Sequence, residues 1–427
     1  MLGKYKYDFE IPQAVKDLLN KLHTKYEAYI VGGCVRDLLL NKTPKDYDIT
    51  TNATPEQIKE VFKDYALINN NGEKHGTVTV RYNNENYEIT TYRLDGEYTD
   101  HRHPDEVTFT SNLQEDLSRR DFTINALVYD GKYVIDYFGG VNDLENKLIK
   151  AVGEPIKRFE EDALRILRMV RFASVLDFDI DMDTLLAANE LKSELIFIAK
   201  ERKTVECNKL VCGEGFARLF LNILVYNILK QVLPFEEPVY PYSAGPLYRI
   251  FSNPVLKGRD YILSYSILFN KLSARNALFY YLVLSNDDKD KIRDICITKN
   301  EKLRIINNND IKYLITKSLY DLKHNDNEQY CRYIMSQAGL FAYAVGNINS
   351  EQVETICKEF EEVINNGCYS LKQLAINGDD LIELGLEPGP VIKDILEGYL
   401  NDVMQGKLEN KREILLEEVK KLVAKLH

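Results

Sequence analysis

A change of hydrophobic period near residue 150 constrains this 427-residue chain more than any other feature. Before it, short apolar runs alternate with helical patterns. After it, almost every apolar pattern repeats at helix spacing. The chain is therefore expected to place a mixed α/β domain first and an all-helical remainder behind it. Outside the first domain, turn chemistry is densest at SNPVLKG (252–258), SNDDKD (285–290), KHNDN (323–327) and INNGCYS (364–370), all read as connections between helices.

Inside the first part, AYIVGG (28–33) is a short apolar run ending in two glycines, and CVRDLLLN follows at helix spacing. KDYDITT (45–51) alternates as a strand. Thr54, Pro55 and Gln57 read as a helix start, with Thr54 as N-cap, Pro55 in the first position and Gln57 closing a capping box. TVTVRY (77–82) and YEITTYR (87–93), joined through Asn83-Asn84, read as a β-hairpin.

Composition excludes several classes. No run approaches the roughly eighteen apolar residues that a membrane-spanning helix needs, so no membrane association is expected. The N-terminus, MLGKYKYDFEIPQ, carries charges where a secretory signal needs an apolar core, which points to the cytoplasm. Seven cysteines occur without a CxxC pair and are read as reduced thiols, not as a zinc site. The histidines show neither HExxH nor an HD pair. A net charge of −11 looks wrong for a nucleic-acid binder, but binding depends on where basic residues cluster.

The chemistry starts at Asp46-Tyr47-Asp48. Two residues apart on a strand, both carboxylates project to one face. They repel each other, and divalent cations between them relieve that repulsion. Such a pair can hold two Mg²⁺ ions and clamp the attacking and leaving oxygens of a phosphoryl transfer. Standing alone it reads first as a solvated strand end. It is preceded, however, by Gly32-Gly33-Cys34-Val35-Arg36-Asp37, where paired glycines at a strand-to-helix junction let backbone approach a phosphate and Arg36 adds a charged clamp.

The stretch VGGCVRDLLLNKTPKDYDITTNATPEQ resembles motif A of the class II tRNA nucleotidyltransferase and poly(A) polymerase family, which shares a DNA polymerase β-like head with a wider superfamily. SRRDFTINALVYD (118–130) resembles the family's motif B, IDYFGGVNDL (135–144) its motif C, and RFEEDALRILRMVRFA (158–173) its motif D. ERKTVECNKLV (201–211) is similar to a diverged motif E, and INGDDLIELGLEPGPVIKDIL (376–396) to a tail segment. The resemblance implies a nucleotidyltransferase head at 1–150, a helical neck at 151–215, a body at 216–330 and a tRNA-binding tail at 331–427. It further implies template-independent CCA addition to tRNA from CTP and ATP, with two Mg²⁺ ions at Asp46 and Asp48.

The residues suit those roles. Arg119 and Arg120 offer bidentate phosphate donors, and Asp121 can accept from a ribose hydroxyl. Asp162 and Arg165, three apart in a long helical pattern, form at least an ion pair worth roughly 0.2–0.5 kcal/mol. As a protein template, Asp162 would accept from an exocyclic amine while Arg165 donates to ring nitrogens or carbonyls. Cytosine and adenine carry that amine; uracil and guanine do not match the pattern. Arg168 and Arg171 would reach towards triphosphate or primer. Together with Gly32, Gly33 and Arg36, these residues make up the expected nucleotide site. Lys157, Arg158, Lys200, Arg202 and Lys203 would join Arg165, Arg168 and Arg171 in a basic cleft on an acidic protein.

Glu88, in the strand YEITTYR, is a candidate third carboxylate, with a cross-strand ion pair as the plainer alternative. The segment 93–107, which includes Asp100, His101 and Arg102, resembles the intact loop that family members need for adding the last A. Asn69 to His75 replaces the arginine-rich run typical of bacterial poly(A) polymerases. An A-adding enzyme with a CC-adding partner, or a poly(A) polymerase, remains the alternative. Motif E departs from the family pattern at Lys203-Thr204-Val205 but keeps Glu201, Arg202 and Glu206.

Overall fold

The structure, a computed structural model, describes residues 2–68, 75–96, 107–235, 244–269, 275, 278–279, 281–299, 311–322, 324–325, 327–345 and 348–426. The expectations placed on Asn69 to Lys74 and on Asp100, His101 and Arg102 lie outside those residues. Two units divide the chain: residues 1–248 with 280–283, and residues 249–279 with 284–427. The segments read from sequence as head and neck both fall in the first, while 216–330 is shared between the two.

The first unit is built on strands β1 (Gly3–Lys6), β2 (Ala28–Val31), β3 (Ile49–Thr51), β4 (Ala66–Ile68), β5 (Thr77–Tyr82) and β6 (Glu85–Thr91). A short pair, β7 (Arg93–Asp95) and β8 (Val107–Phe109), stands apart, and β9 (Leu127–Tyr129) and β10 (Tyr133–Asp136) return to the main sheet. The eight-stranded order is β1-β10-β9-β2-β3-β6-β5-β4, with β3 and β6 parallel and the other pairs antiparallel. Both faces are covered. Ile30, Ile49, Val80 and Ile89 pack with Leu18, Leu22, Ile58 and Phe62 on one side, while Val31 and Val128 pack with Leu113, Leu117 and Tyr92 on the other. Alternating neighbours such as Ile30 and Val31 thus enter different cores, as strand geometry requires.

Local sequence signals hold where they are strongest. Helix α1 spans Gln13–His23, α2 spans Gly33–Leu39 directly after β2, and α3 spans Pro55–Val61. Thr54 caps α3 in a complete capping box with Gln57. Asn83 and Asn84 take positive φ between β5 and β6, which suits the right-handed twist of a two-residue hairpin.

The expected strand at 45–51 is shorter than its alternation suggests. β3 begins at Ile49, so Asp46 and Asp48 lie in the irregular segment leading into it. The reason is the partner strand. The β2–β3 register sets Ile30 opposite Ile49 and lets the Val31 amide donate to the Asp48 carbonyl at 3.0 Å. One step further, Tyr47 would face Gly32, whose φ of +83° turns the chain away into α2.

Beyond the sheet come α4 (Leu113–Ser118), α5 (Gly140–Glu145), α6 (Pro155–Glu161), α7 (Leu164–Leu176), α8 (Met182–Glu190) and α9 (Lys200–Cys212). Asp179–Ile180, paired in parallel with Leu148–Ile149, is the one strand after residue 150 among the described residues, beside a lone bridge from Ala151 to Phe122. Asp136 accepts four backbone amides, from Phe138 to Val141, and so caps α5. Gly140 is required there, because a Cβ would lie 2.2 Å from the Thr123 carbonyl oxygen.

The second unit is helical, with long helices at Glu328–Ala344, Ser350–Asn366, Pro390–Met404 and Arg412–Leu426. SNDDKD is not a connection throughout: Ser285 caps a helix that starts at Asn286. A serine hydroxyl taking a free amide explains why a polar run starts a helix. Leu381, Leu400, Leu415 and Val419 form a buried core near the C-terminus. Among the described residues no helix is long and apolar enough to cross a membrane, and all seven cysteines are free.

Candidate active site

The parallel register of β3 and β6 pairs Ile49 with Ile89. Continued by one residue, it brings Asp48 beside Glu88. All three acidic side chains, Asp46, Asp48 and Glu88, are open to solvent. Neighbouring protein displaces water from part of the Asp48 carboxyl and pushes its pKa above the usual range; Asp46 adds to the rise, and Arg120 opposes it. Glu88 is raised by the same desolvation and then by Asp48 and Asp46. Among the described residues no cation stands at ion-pair distance from any of the three. The three carboxylates therefore repel one another.

No group of three His, Cys, Asp or Glu side chains among the described residues is close enough to hold a metal by itself. Magnesium takes one or two carboxylates and completes its shell with water and substrate phosphate. The donor set formed by Asp46 and Asp48, with Glu88 nearby, fits such an ion.

Cations line the approach. A Cβ at Gly32 would come within 2.8 Å of Arg120 Nη1, so the glycine leaves room for that guanidinium. Arg120 Nη1 reaches the Asn125 carbonyl at 3.5 Å, and its buried Nε has no hydrogen-bond partner among the described residues. Arg36 donates through Nε and Nη2 to Asp37 and through Nη1 to Asn125 Oδ1 at 2.8 Å. Gly33 lies beside it, 3.6 Å from Arg36 Nη2 when measured from an added Cβ. Arg119 makes a two-pronged contact with the fully buried Asp116, at 3.0 and 2.8 Å.

The helix read across 158–173 is broken. α6 stops at Glu161, and Asp162 takes an extended conformation (φ −144°, ψ 102°). Its carboxylate accepts the Leu164 amide at 3.0 Å, a short polar side chain bonding backbone two residues on in place of helix. The simple pairing of Asp162 with Arg165 does not form. Asp162 pairs with Arg202 of α9 at 2.9 Å, and Arg165 pairs with Glu161 at 2.6 Å while donating to the carbonyls of Arg158 and Arg119.

Arg168 and Arg171 also have internal partners. Arg168 grips Asp121 with Nε and Nη2 at 2.8 and 2.6 Å and lies 3.7 Å from Glu206, which holds Arg171 at 2.7 Å. Burial raises the Asp121 carboxyl, but Arg168 and Asn125 override it and bring the pKa down to about 2. Arg158, Arg165, Arg168, Arg171 and Arg202 are thus each paired with an acid, so the basic cleft read from sequence is a lattice of alternating charge. Lys203 is buried and donates to the Leu195 carbonyl at 3.2 Å. The guanidiniums of Arg36, Arg168 and Arg171 gather around Phe172, which also meets Phe122 edge-on.

Asp116, Asn125 and Phe172 hold the arginines of the candidate site and were not singled out by sequence reasoning. Asn125 had a signal, as a polar residue inside the apolar run FTINALV. Phe172 had none, because an aromatic on an amphipathic helix reads as core.

Comparison with known proteins is consistent along the chain. Residues 28–150 match the family described as Poly A polymerase head domain, residues 177–238 that described as probable RNA and SrmB-binding site of polymerase A, and residues 308–419 that described as tRNA nucleotidyltransferase domain 2. The CCA-adding enzyme of Staphylococcus epidermidis is 35% identical over 96% of this chain and 98% of its own length. That of Oceanobacillus iheyensis is 42% identical over 60% of this chain and 68% of its own. Among solved structures, the Bacillus stearothermophilus CCA-adding enzyme in complex with CTP superposes with a TM-score of 0.75 at 28% identity, covering 97% of this chain and 98% of that one.

Proposed function

Because the chain belongs to the family of CCA-adding tRNA nucleotidyltransferases, we propose that it appends C, C and A in turn to the 3′ end of tRNA from CTP and ATP, with Asp46 and Asp48 at the reacting phosphate. The observation that carries the site is the carboxylate corner. Asp46, Asp48 and Glu88 repel one another without a described counter-cation, beside a neck in which arginines and acids are paired.

The family uses a divalent metal ion. Asp46 and Asp48 would hold magnesium, of which we infer two ions, and the bound metal would supply positive charge easing ionisation of the tRNA 3′-hydroxyl and departure of pyrophosphate. Arg120 and Arg36, at the Gly32-Gly33 turn, face the triphosphate, with Arg119 beside them. Asp121 fixes Arg168, and Glu206 fixes Arg171, so these four order the pocket wall on which ribose and triphosphate rest.

Asp162 and Arg165 read the base. Asp162 accepts from the exocyclic amine that cytosine and adenine share. Arg165 keeps Nε and one Nη2–H uncommitted among the described residues, an edge suited to ring nitrogen and carbonyl acceptors. The head (1–150) and neck (151–215) supply this pocket. The body (216–330) and tail (331–427) follow the tRNA by shape and phosphate contacts.

The test is primer extension with Mg²⁺ on tRNAs ending before CCA, after C, and after CC, each given CTP, ATP or both. Stepwise growth to CCA followed by a stop is expected. Extension of only the CC-ended tRNA, and only with ATP, would make the chain an A-adder. Unlimited ATP addition would make it a poly(A) polymerase. Chelation by EDTA is expected to stop every step and added Mg²⁺ to restore it.

A further inference from the structure

We propose that Arg202, on α9, is a specificity-determining positioning residue that aims the Asp162 carboxylate at the incoming base. The proposal rests on the base-reading role given above to Asp162. It begins with the helix break. Because Asp162 leaves α6 in an extended conformation, its side chain is not carried at a fixed angle on a helix surface. Its terminal torsion is intrinsically broad, so something else must set where its oxygens point.

Two anchors do so. The Leu164 amide reaches Oδ1 at 3.0 Å from the same chain segment. Arg202 reaches Oδ2 at 2.9 Å through Nη2, with Nη1 at 3.5 Å from Oδ1, from a helix forty residues further on. Each carboxylate oxygen has about two acceptor positions. The anchors occupy part of that capacity and leave a defined remainder for an amine. With the local anchor alone, the carboxylate can swing.

That freedom matters for selection. Uracil presents a carbonyl oxygen where cytosine presents an amine. A fixed carboxylate oxygen facing that carbonyl repels it, whereas a swinging carboxylate turns aside and tolerates it. Arg202 therefore supplies rejection of the wrong base as well as binding of the right one.

α9 is suited to this task. Arg202 and Glu206 are four residues apart and share one helix face. Arg202 takes Asp162, and Glu206 takes Arg168 and Arg171. The residues between them that depart from the family pattern point elsewhere: Lys203 to the Leu195 carbonyl, and Thr204 to the Lys200 carbonyl and the Val283 amide. The divergence leaves the working face intact.

The experiment measures kcat/KM for CTP, ATP and UTP with the full chain on tRNAs awaiting C or A. It compares Asp162→Ala, Arg202→Gln, Arg202→Lys and the double variant Asp162→Ala/Arg202→Gln, with folding checked by circular dichroism. Arg202→Gln is expected to reduce the preference for CTP over UTP by about tenfold, the size of coupling usual for contacting residues. Arg202→Lys should recover part of it, and the double variant should select no worse than Asp162→Ala alone. An unchanged CTP-to-UTP ratio in a folded Arg202→Gln, alongside a shifted ratio in Asp162→Ala, overturns the proposal and spares the base-reading role. An unchanged ratio in Asp162→Ala overturns both.

Discussion

The carboxylate corner of the head and the charge lattice around the neck arginines treat negative charge in opposite ways. In the lattice that the neck arginines form, Asp121 of the head and Asp162 and Glu206 of the neck each have an arginine within 3 Å. In the head, Asp46, Asp48 and Glu88 face one another, and Arg120 reaches Asp48 only through its field. A buried acid that the protein neutralises, as with Asp121 and Glu206, belongs to the scaffold, since removing its partner strands a charge away from water. Acids that the protein brings together and leaves unneutralised are poised for charge from outside. The contrast separates the chemistry from its support without reference to any relative.

The largest expected effect tests the head. Asp48→Asn should slow nucleotide addition on the order of 10³-fold or more, with a melting temperature unchanged or raised because a repulsion is gone. Single-turnover extension and thermal melting read both. Near-normal addition would break the comparison. Next, Arg168→Ala should cost about 3–5 kcal/mol of stability by leaving Asp121 buried without its partner, as measured by guanidinium denaturation. A loss within the range of ordinary surface changes would mean that the neck lattice is ornamental.

Acid separates the two regions in pH. Asp121 has a folded-state pKa of about 2, below the usual 3.8. Its stability contribution is complete above about pH 4 and is lost as the pH falls towards about 2. Asp48 and Glu88 are raised, so they bind protons at a higher pH than ordinary carboxylates. Their sign is reversed: they favour the metal-free fold when protonated, and that contribution is lost as the pH rises through their folded values. On acidification, addition should therefore fail while the fold is intact, as read by activity and tyrosine fluorescence across the same buffers. Simultaneous loss would contradict the contrast. The smallest effect is a control in the head, at a residue belonging to neither charge cluster. Thr54→Ala removes half of the capping box and should cost about 1 kcal/mol with no change in addition.

Much of the head was legible because its signals are local. The Thr54 capping box, the Asn83-Asn84 hairpin and the strand-glycine-helix junction at Gly32 each depend on residues that touch within a few positions. The helix across 158–173 was misread for the same reason in reverse. Its hydrophobic spacing runs on through Asp162, but the break there is held in part by Arg202, forty residues away. The strand expected from residue 45 was cut short by its partner, since β2 ends where Gly32 turns.

Sequence by itself determined the order of the parts and the residue types of the site. The change from mixed to helical period, the Asp46/Asp48 pair and the arginine-rich helix are properties of the chain read along its length. Tertiary structure decided the pairing. Strand register brought Glu88 to Asp48, and the packing of α7 and the turn before it against α9 and against the segment holding Asp121 gave Asp121, Asp162 and Glu206 their arginines. A linear sequence states how many charges there are and their local spacing. Which of them cancel depends on distances of a few ångströms between segments far apart in the chain, because charge interactions fall off with separation and are screened by water until burial excludes it.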